Sequence, residues 1–312
     1  MPEALAAIDC GSNSTRLFIV DATDSPVTRQ TVITRLSAGV DEHATLGEEA
    51  MERTFAVLRA YRAVMDEAAV AEGMLVATSA VRDATNGEEF LERAGAIARV
   101  PARILSGAQE ASYSYRGATA ELDASDLTFL IVDIGGGSTE LALKKSAELH
   151  SFSMQLGCVR VAERVLGYGV VSKKREVATR AMIAAELDRA FRAEPVFEEA
   201  VGRVRLVGLA GTVATLVAMQ RGVEVYERSL VHHQRVDRAD VATWRERLAS
   251  ETPAQRLAHP GMSAGREDVL VAGLYVLEAV MDRFGVSELL SSESDILDGI
   301  TATLRESDAR GS

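Results

Sequence analysis

Two ten-residue stretches hold most of the side chains that could do chemistry. Residues 8–17 read IDCGSNSTRL and residues 132–141 read VDIGGGSTEL, aligned without a gap at an offset of 124 positions. Asp9 falls on Asp133, Gly11 on Gly135, Ser14 on Ser138, Thr15 on Thr139 and Leu17 on Leu141. In each copy an aspartate precedes a turn of small residues. Such a turn offers consecutive backbone N–H groups to an anion, and glycine lets the anion come close because no Cβ intervenes. A carboxylate beside a phosphate site suits a hard divalent cation, which takes oxygen ligands from acids and from phosphate. Asp9, Asp133 and Glu140 are the candidate metal acids, with Glu140 seven residues beyond Asp133. Each of them alone also reads as an ordinary turn or helix cap.

The elements that must position these residues follow from the flanking pattern. In both copies an apolar run enters the turn (5–8 and 129–132) and a second one leaves it (17–20 and 141–143). That is a pair of β-hairpins. Duplicated hairpins predict duplicated lobes with their turns facing each other across a cleft. Met51, Phe55, Leu58, Tyr61, Met65 and Ala68 recur at helical spacing and predict a helix over about 47–71. A strand over 74–77, a helix over 86–99, a strand over 103–105 and a helix from about 107 follow. After the second hairpin we expect a strand at 147–154, helices at 156–166 and 173–192, a strand at 206–209 and a helix at 212–220. The last third reads as helical. This alternation predicts an α/β protein with mixed or parallel sheets covered by helices. The lobes should divide near Leu122–Asp126, giving 1–126 and 127–312, with the last helix docking back on the first lobe.

Bulk properties narrow the function. The net charge of −12 repels a polyanion globally, so phosphate binding would need local cations, backbone N–H groups and a metal. No basic stripe for duplex nucleic acid appears. Cys10 and Cys158 have no metal-ligand spacing and indicate no disulfide framework, which fits a reducing compartment. The start lacks a basic segment and a long apolar core, so no signal peptide is expected. The apolar run Val269 to Leu277 is too short for a membrane span. The expectation is a cytoplasmic protein with no membrane partner. A GxxxxGK[ST] loop, a GxSxG elbow, CxxC and HExxH are all missing, and Glu140 stands where a dinucleotide fingerprint needs glycine.

Further segments extend the pattern. Asp9-Cys10-Gly11-Ser12-Asn13-Ser14-Thr15-Arg16, Thr78-Ser79-Ala80-Val81-Arg82-Asp83-Ala84, Gly107-Ala108-Gln109-Glu110-Ala111, Asp133 to Glu140 and Gly208-Leu209-Ala210-Gly211-Thr212 occur in that order. Together they resemble the exopolyphosphatase/guanosine pentaphosphate phosphohydrolase family, over residues 5 to about 300. The resemblance implies two ribonuclease-H-like lobes of the actin-like ATPase fold, and a homodimer. It implies a Mg²⁺-dependent hydrolase (Mn²⁺ as a substitute, K⁺ as an added monovalent ion) acting on inorganic polyphosphate or guanosine pentaphosphate. Carried over, Glu110 matches the catalytic base, and Asp133 and Glu140 match the metal-associated acids. Gly11, Ser12, Asn13 and Ser14, with Gly135, Gly136, Gly137, Ser138 and Thr139, match the two phosphate loops. Arg82 falls in a motif lining the cleft. Longer members carry an added helical domain with a His-Asp signature, which is not found in these 312 residues.

These parts suggest a mechanism in which Glu110 readies a water and the acids carry the metal. Arg16 and Arg82 are candidates for an electrostatic clamp, or else form surface salt bridges. Lys144-Lys145 and Lys173-Lys174-Arg175 would guide a polyanion or form a solvated face; His232-His233 would contact phosphate or sit as polar surface. Arg266 and Asp268 read as the opening of an apolar helix, and Ser292-Glu293-Ser294-Asp295 as a turn before a last helix. Exopolyphosphatase is the first reading and guanosine pentaphosphate phosphohydrolase the alternative. An ATP-dependent sugar kinase and a non-catalytic sensor of polyphosphate or an alarmone are the readings from other classes.

Overall fold

The computed structural model describes residues 3–123 and 128–311, with side chains as far as 307. The chain divides into two compact units, Met1–Gly117 with Ile296–Ser312, and Ala118–Asp295. They are called lobe 1 and lobe 2 below. The boundary expected at Leu122–Asp126 falls partly on residues 124–127, outside the described residues.

Lobe 1 is built on strands β1 (Ala4–Cys10), β2 (Ser14–Val20), β3 (Pro26–Ile33), β4 (Val70–Ala77) and β5 (Ala102–Ile104). Their order in the sheet is β3-β2-β1-β4-β5. The first three run antiparallel, then β4 lies parallel to β1 and β5 parallel to β4. Alternate residues of β1 serve opposite faces, as the two-residue period of a strand requires. Ala6, Ile8 and Cys10 pack with Met51, Phe55, Leu58, Tyr61 and Met65 of the helix Glu48–Glu67. Leu5 and Ala7 pack with Ile296, Leu297, Ile300 and Leu304 of the last helix, Ile296–Gly311.

Lobe 2 repeats the scheme with β6 (Thr128–Ile134), β7 (Thr139–Lys145), β8 (Glu148–Met154), β9 (Val204–Leu209), β10 (Arg235–Asp237) and β11 (Glu288–Ser291). Read from the β8 side the order is β8-β7-β6-β9-β11, the same as β3-β2-β1-β4-β5, with β10 added at the outer edge. Again β9 is parallel to β6 and β11 to β9. The duplication seen in ten residues therefore extends to five strands per lobe. The α/β architecture with two lobes of repeated strand order is the one expected from the sequence.

Several elements differ from the expectation. β3 was not anticipated, because PVTRQTVI is an edge strand with Val27 and Val32 exposed, so it carries no apolar run. The last third is not wholly helical, since β10 and β11 lie in it, at three and four residues too short for periodicity to register. The apolar helix after Arg266 spans Leu270–Phe284, so Arg266 lies ahead of its first turn and does not open it. Among the described residues no helix is long and apolar enough to cross a membrane.

Candidate active site

In an open sheet with parallel strands, ligands bind beyond the carboxyl ends of those strands. In lobe 1 these ends lead into the turn 11–14 after β1, the short helix Ser79–Asp83 after β4, and the helix Gly107–Thr119 after β5. The turn closes with the Gly11 N–H donating to Ser14 O at 3.0 Å. The hydroxyls of Ser12 and Ser79 lie 3.0 Å apart, which ties the turn to the short helix. Arg82, near the end of that helix, directs Nη1 to Leu105 O at 2.7 Å and to Glu110 Oε2 at 3.3 Å. One connected set thus joins the turn 11–14, Arg82 and Glu110.

Glu110 sits in the first turn of its helix. That turn is fixed by a reciprocal cap: Ser106 N–H donates to Gln109 Oε1 at 2.9 Å, and Gln109 N–H donates to Ser106 Oγ at 3.2 Å. Glu110 is only 8% exposed, so its position is set by packing and by Arg82. Asp9 is buried and pairs across the hairpin with Arg16. Arg16 places Nε at 3.0 Å and Nη2 at 2.6 Å from Asp9 Oδ2. The Nδ2 of Asn13, also buried, has no hydrogen-bond partner among the described residues.

In lobe 2 the turn 135–138 closes identically, with Gly135 N–H donating to Ser138 O at 3.0 Å. Asp133 and Glu140 are direct partners across this hairpin and both are buried. Ser153 Oγ donates to Glu140 Oε1 at 2.7 Å. Thr139 Oγ1 donates to Leu156 O, locking the start of β7. At the end of β9, a Cβ on Gly211 would lie 2.2 Å from the Arg266 guanidinium carbon, and a Cβ on Gly273 would lie 2.4 Å from Thr212 Oγ1. Gly211 and Thr212 are therefore closely covered by Arg266 and by the helix Leu270–Phe284.

The sequence singled out neither Ser79, Gly157 nor Arg266 as a site residue. Ser79 stood inside a quoted motif and could have been found there. The roles of Gly157 and Arg266 rest on contacts with residues far away in sequence, which no local pattern encodes. Burial raises the pKa of both cysteines, and the charge of Asp9 raises Cys10 further, so both thiols stay protonated and unreactive.

Glu121, His232 and His233 gather potential ligand atoms within 4.8 Å of one another. The proton positions argue against a metal there. Glu293 N–H donates to His232 Nδ1 at 3.0 Å, so the neutral ring carries its proton on Nε2. That proton is directed at Glu121 Oε2, 3.2 Å away. Arg228 and Ser294 hold the other carboxylate oxygen at 3.1 and 2.7 Å. The cluster is a hydrogen-bonded clamp on Glu121.

Comparison with known proteins decides the family. The model of the Ppx/GppA phosphatase family matches residues 18–305. The chain belongs to that family. Among its relatives is Exopolyphosphatase 2 of Mycobacterium tuberculosis, 36% identical, covering 96% of this chain and 98% of the relative. The guanosine-5'-triphosphate,3'-diphosphate pyrophosphatase of Vibrio vulnificus is 28% identical, and the chain spans 61% of that longer member. A solved structure of an exopolyphosphatase-like protein superposes with a TM-score of 0.91 at 30% identity, covering 97% of this chain and 99% of the other. The two-lobed architecture is thus that of the Ppx/GppA phosphatases.

Proposed function

We propose that this chain is an exopolyphosphatase that hydrolyses the terminal phosphoanhydride of inorganic polyphosphate and releases orthophosphate. The observation that carries the reading is the connected set in lobe 1. A buried carboxylate, Glu110, is held by Arg82 and linked through Ser79 to a glycine turn suited to phosphate. Membership of a phosphatase family favours water over a sugar hydroxyl as the proton donor to Glu110. Likeness to the mycobacterial exopolyphosphatase supports the same substrate.

The residues of lobe 2 fit a divalent cation. Asp133 and Glu140 are two buried carboxylates set directly opposite on one sheet face. Like charges in that position are unfavourable by themselves, and a cation offsets them. In lobe 1 the corresponding aspartate, Asp9, is matched by Arg16 instead. We therefore assign the metal to Asp133 and Glu140, leaving Asp9 to its pairing with Arg16, and Mg²⁺ as the ion because both donors are hard oxygens. When bound, the ion would neutralise charge on the transferred phosphoryl group. The chain's own groups do the rest. The N–H groups of the turns at 11–14 and 135–138 bind phosphate oxygens, Glu110 orients water and accepts its proton, and Arg82 holds Glu110 in place.

The second reading, hydrolysis of guanosine pentaphosphate, uses the same terminal anhydride and is favoured by likeness to the Vibrio enzyme. Orthophosphate release from purified protein with Mg²⁺ separates the two. We expect kcat/KM for polyphosphate to exceed that for guanosine pentaphosphate by about tenfold or more, a difference of roughly 1.4 kcal/mol. The reverse ratio would transfer the assignment to the nucleotide, and no release from either would end the hydrolase reading.

A further inference from the structure

A turn that binds phosphate must present N–H groups and hide its carbonyl oxygens, because an exposed carbonyl repels the anion. Both turns have two consecutive carbonyls tied back, at 135 and 136 in lobe 2 and, one position later in the repeat, at 12 and 13 in lobe 1. In lobe 2 the carbonyl of Gly135 accepts from Cys158 N–H at 2.9 Å. The carbonyl of Gly136 accepts from Val159 N–H at 2.9 Å and Arg160 N–H at 3.1 Å. In lobe 1 the carbonyl of Ser12 accepts from Ser37 N–H at 2.9 Å, and that of Asn13 from Thr34 and Arg35 N–H at 3.1 and 3.0 Å. In each lobe the donors come from the segment that follows the third strand, β3 or β8. Among the described residues nothing accepts from the N–H groups of Ser12, Asn13, Gly136 or Gly137.

We propose that these back-tying segments set the polarity of the two turns, and that Gly157 with the Cys158 N–H is the positioning device in lobe 2. It rests on the phosphohydrolase reading above. Gly157 is where the approach is closest. A Cβ there would lie 2.1 Å from Gly136 C and O and 2.3 Å from Gly137 N, inside the turn's own backbone. The turn cannot yield to that atom without moving its N–H groups. Lobe 1 reaches the same end with Arg35 in the left-handed region at φ 50°, a conformation costly for a non-glycine residue. The donors of the helix beginning at Cys158 are thus directed to carbonyls of the turn, and the anion is left to the N–H groups of the turn itself.

Cys158→Pro, read against Cys158→Ala, tests this. Cys158 is the first residue of its helix, where proline is tolerated, and Gly157 before it is extended at φ −103°, ψ 162°. The substitution removes the N–H that holds the Gly135 carbonyl and sets the ring Cδ against that oxygen; Cys158→Ala keeps the N–H and controls for loss of the buried thiol. We expect Cys158→Pro to raise KM for polyphosphate and Ki for orthophosphate about tenfold relative to Cys158→Ala. Gly157→Ala, the second variant should the proline form not fold, is expected to lower kcat and raise KM together with its fold retained by circular dichroism. Equal KM and Ki in Cys158→Pro and Cys158→Ala, or unchanged kinetics in folded Gly157→Ala, would overturn the proposal. If the unmodified protein releases no phosphate, the hydrolase reading has failed instead.

Discussion

The two copies of the hairpin differ most tellingly at one residue. Position 16 is arginine and its counterpart at 140 is glutamate, both directly across the strand pair from the shared aspartate. In lobe 1 the aspartate faces an arginine, and in lobe 2 it faces a second carboxylate. Glu140→Gln should accordingly raise the Mg²⁺ concentration for half-maximal activity by about tenfold or more, whereas a mere structural role for Glu140 would lower activity at every Mg²⁺ concentration alike. Glu110→Gln keeps the shape of the side chain and its contact with Arg82 but cannot take a proton. A general base contributes on the order of 10²–10⁴-fold, so kcat should fall by that amount with KM little changed. Full activity in that variant would remove Glu110 from the chemistry.

At the scale of elements, the helix that carries Glu110 is set by the last helix of the chain. A Cβ on Gly299 would lie 2.1 Å from Tyr113 O, so the two helices touch through backbone. Arg116 reinforces the contact by donating to Thr303 Oγ1 and Ala302 O, each at 3.2 Å. Gly299→Ala has to push the helix Gly107–Thr119 away, which shifts the base three residues before Tyr113. The expected result is a loss of kcat/KM of about tenfold to a hundredfold together with about 1–3 kcal/mol of stability from overpacking. Chemical denaturation and steady-state kinetics on the same preparation would check both. On the other face of the sheet, Phe55 is fully buried and stacks on Phe90 with ring centroids 5.3 Å apart. Phe55→Ala should cost about 3–5 kcal/mol, read by denaturation, without a selective effect on KM.

For the whole molecule, acid stability should depend on the clamp around Glu121. Burial opposes its ionisation, but hydrogen bonds from Ser294 and His232 and the charge of Arg228 win, and its pKa falls from 4.5 to about 2. A folded value below the unfolded one gives stability that is present above pH 4.5 and lost as pH drops toward 2. Glu121→Gln should therefore have a lower Tm than the unmodified protein near neutrality, with the gap closing as the pH falls through that window. A gap independent of pH would show that the carboxylate charge does not matter. The net charge of −12 repels a polyanion, so under the proposed function its capture would rest on the N–H groups of the turns and on the cation held by the acids.

What the sequence determined by itself was the duplication, the two hairpins and the acids beside their turns. Those are local: an aspartate, a glycine turn and two apolar runs specify a hairpin wherever it sits, and the offset of 124 positions declares the second copy. The helix Glu48–Glu67 was legible for the same reason, through a face of apolar residues at a 3.6-residue period. The tertiary structure alone decided which partner each charge has. Arg16 turned to Asp9, Arg82 reached Glu110 across 28 positions of sequence, and Gly157 closed on the backbone of Gly136. The same holds for β3, β10 and β11, which are strands because a neighbour offers them a ladder of hydrogen bonds and not because of their own pattern. Periodicity records which face of an element is buried. It does not record what that face meets, and the chemistry proposed here depends on what it meets.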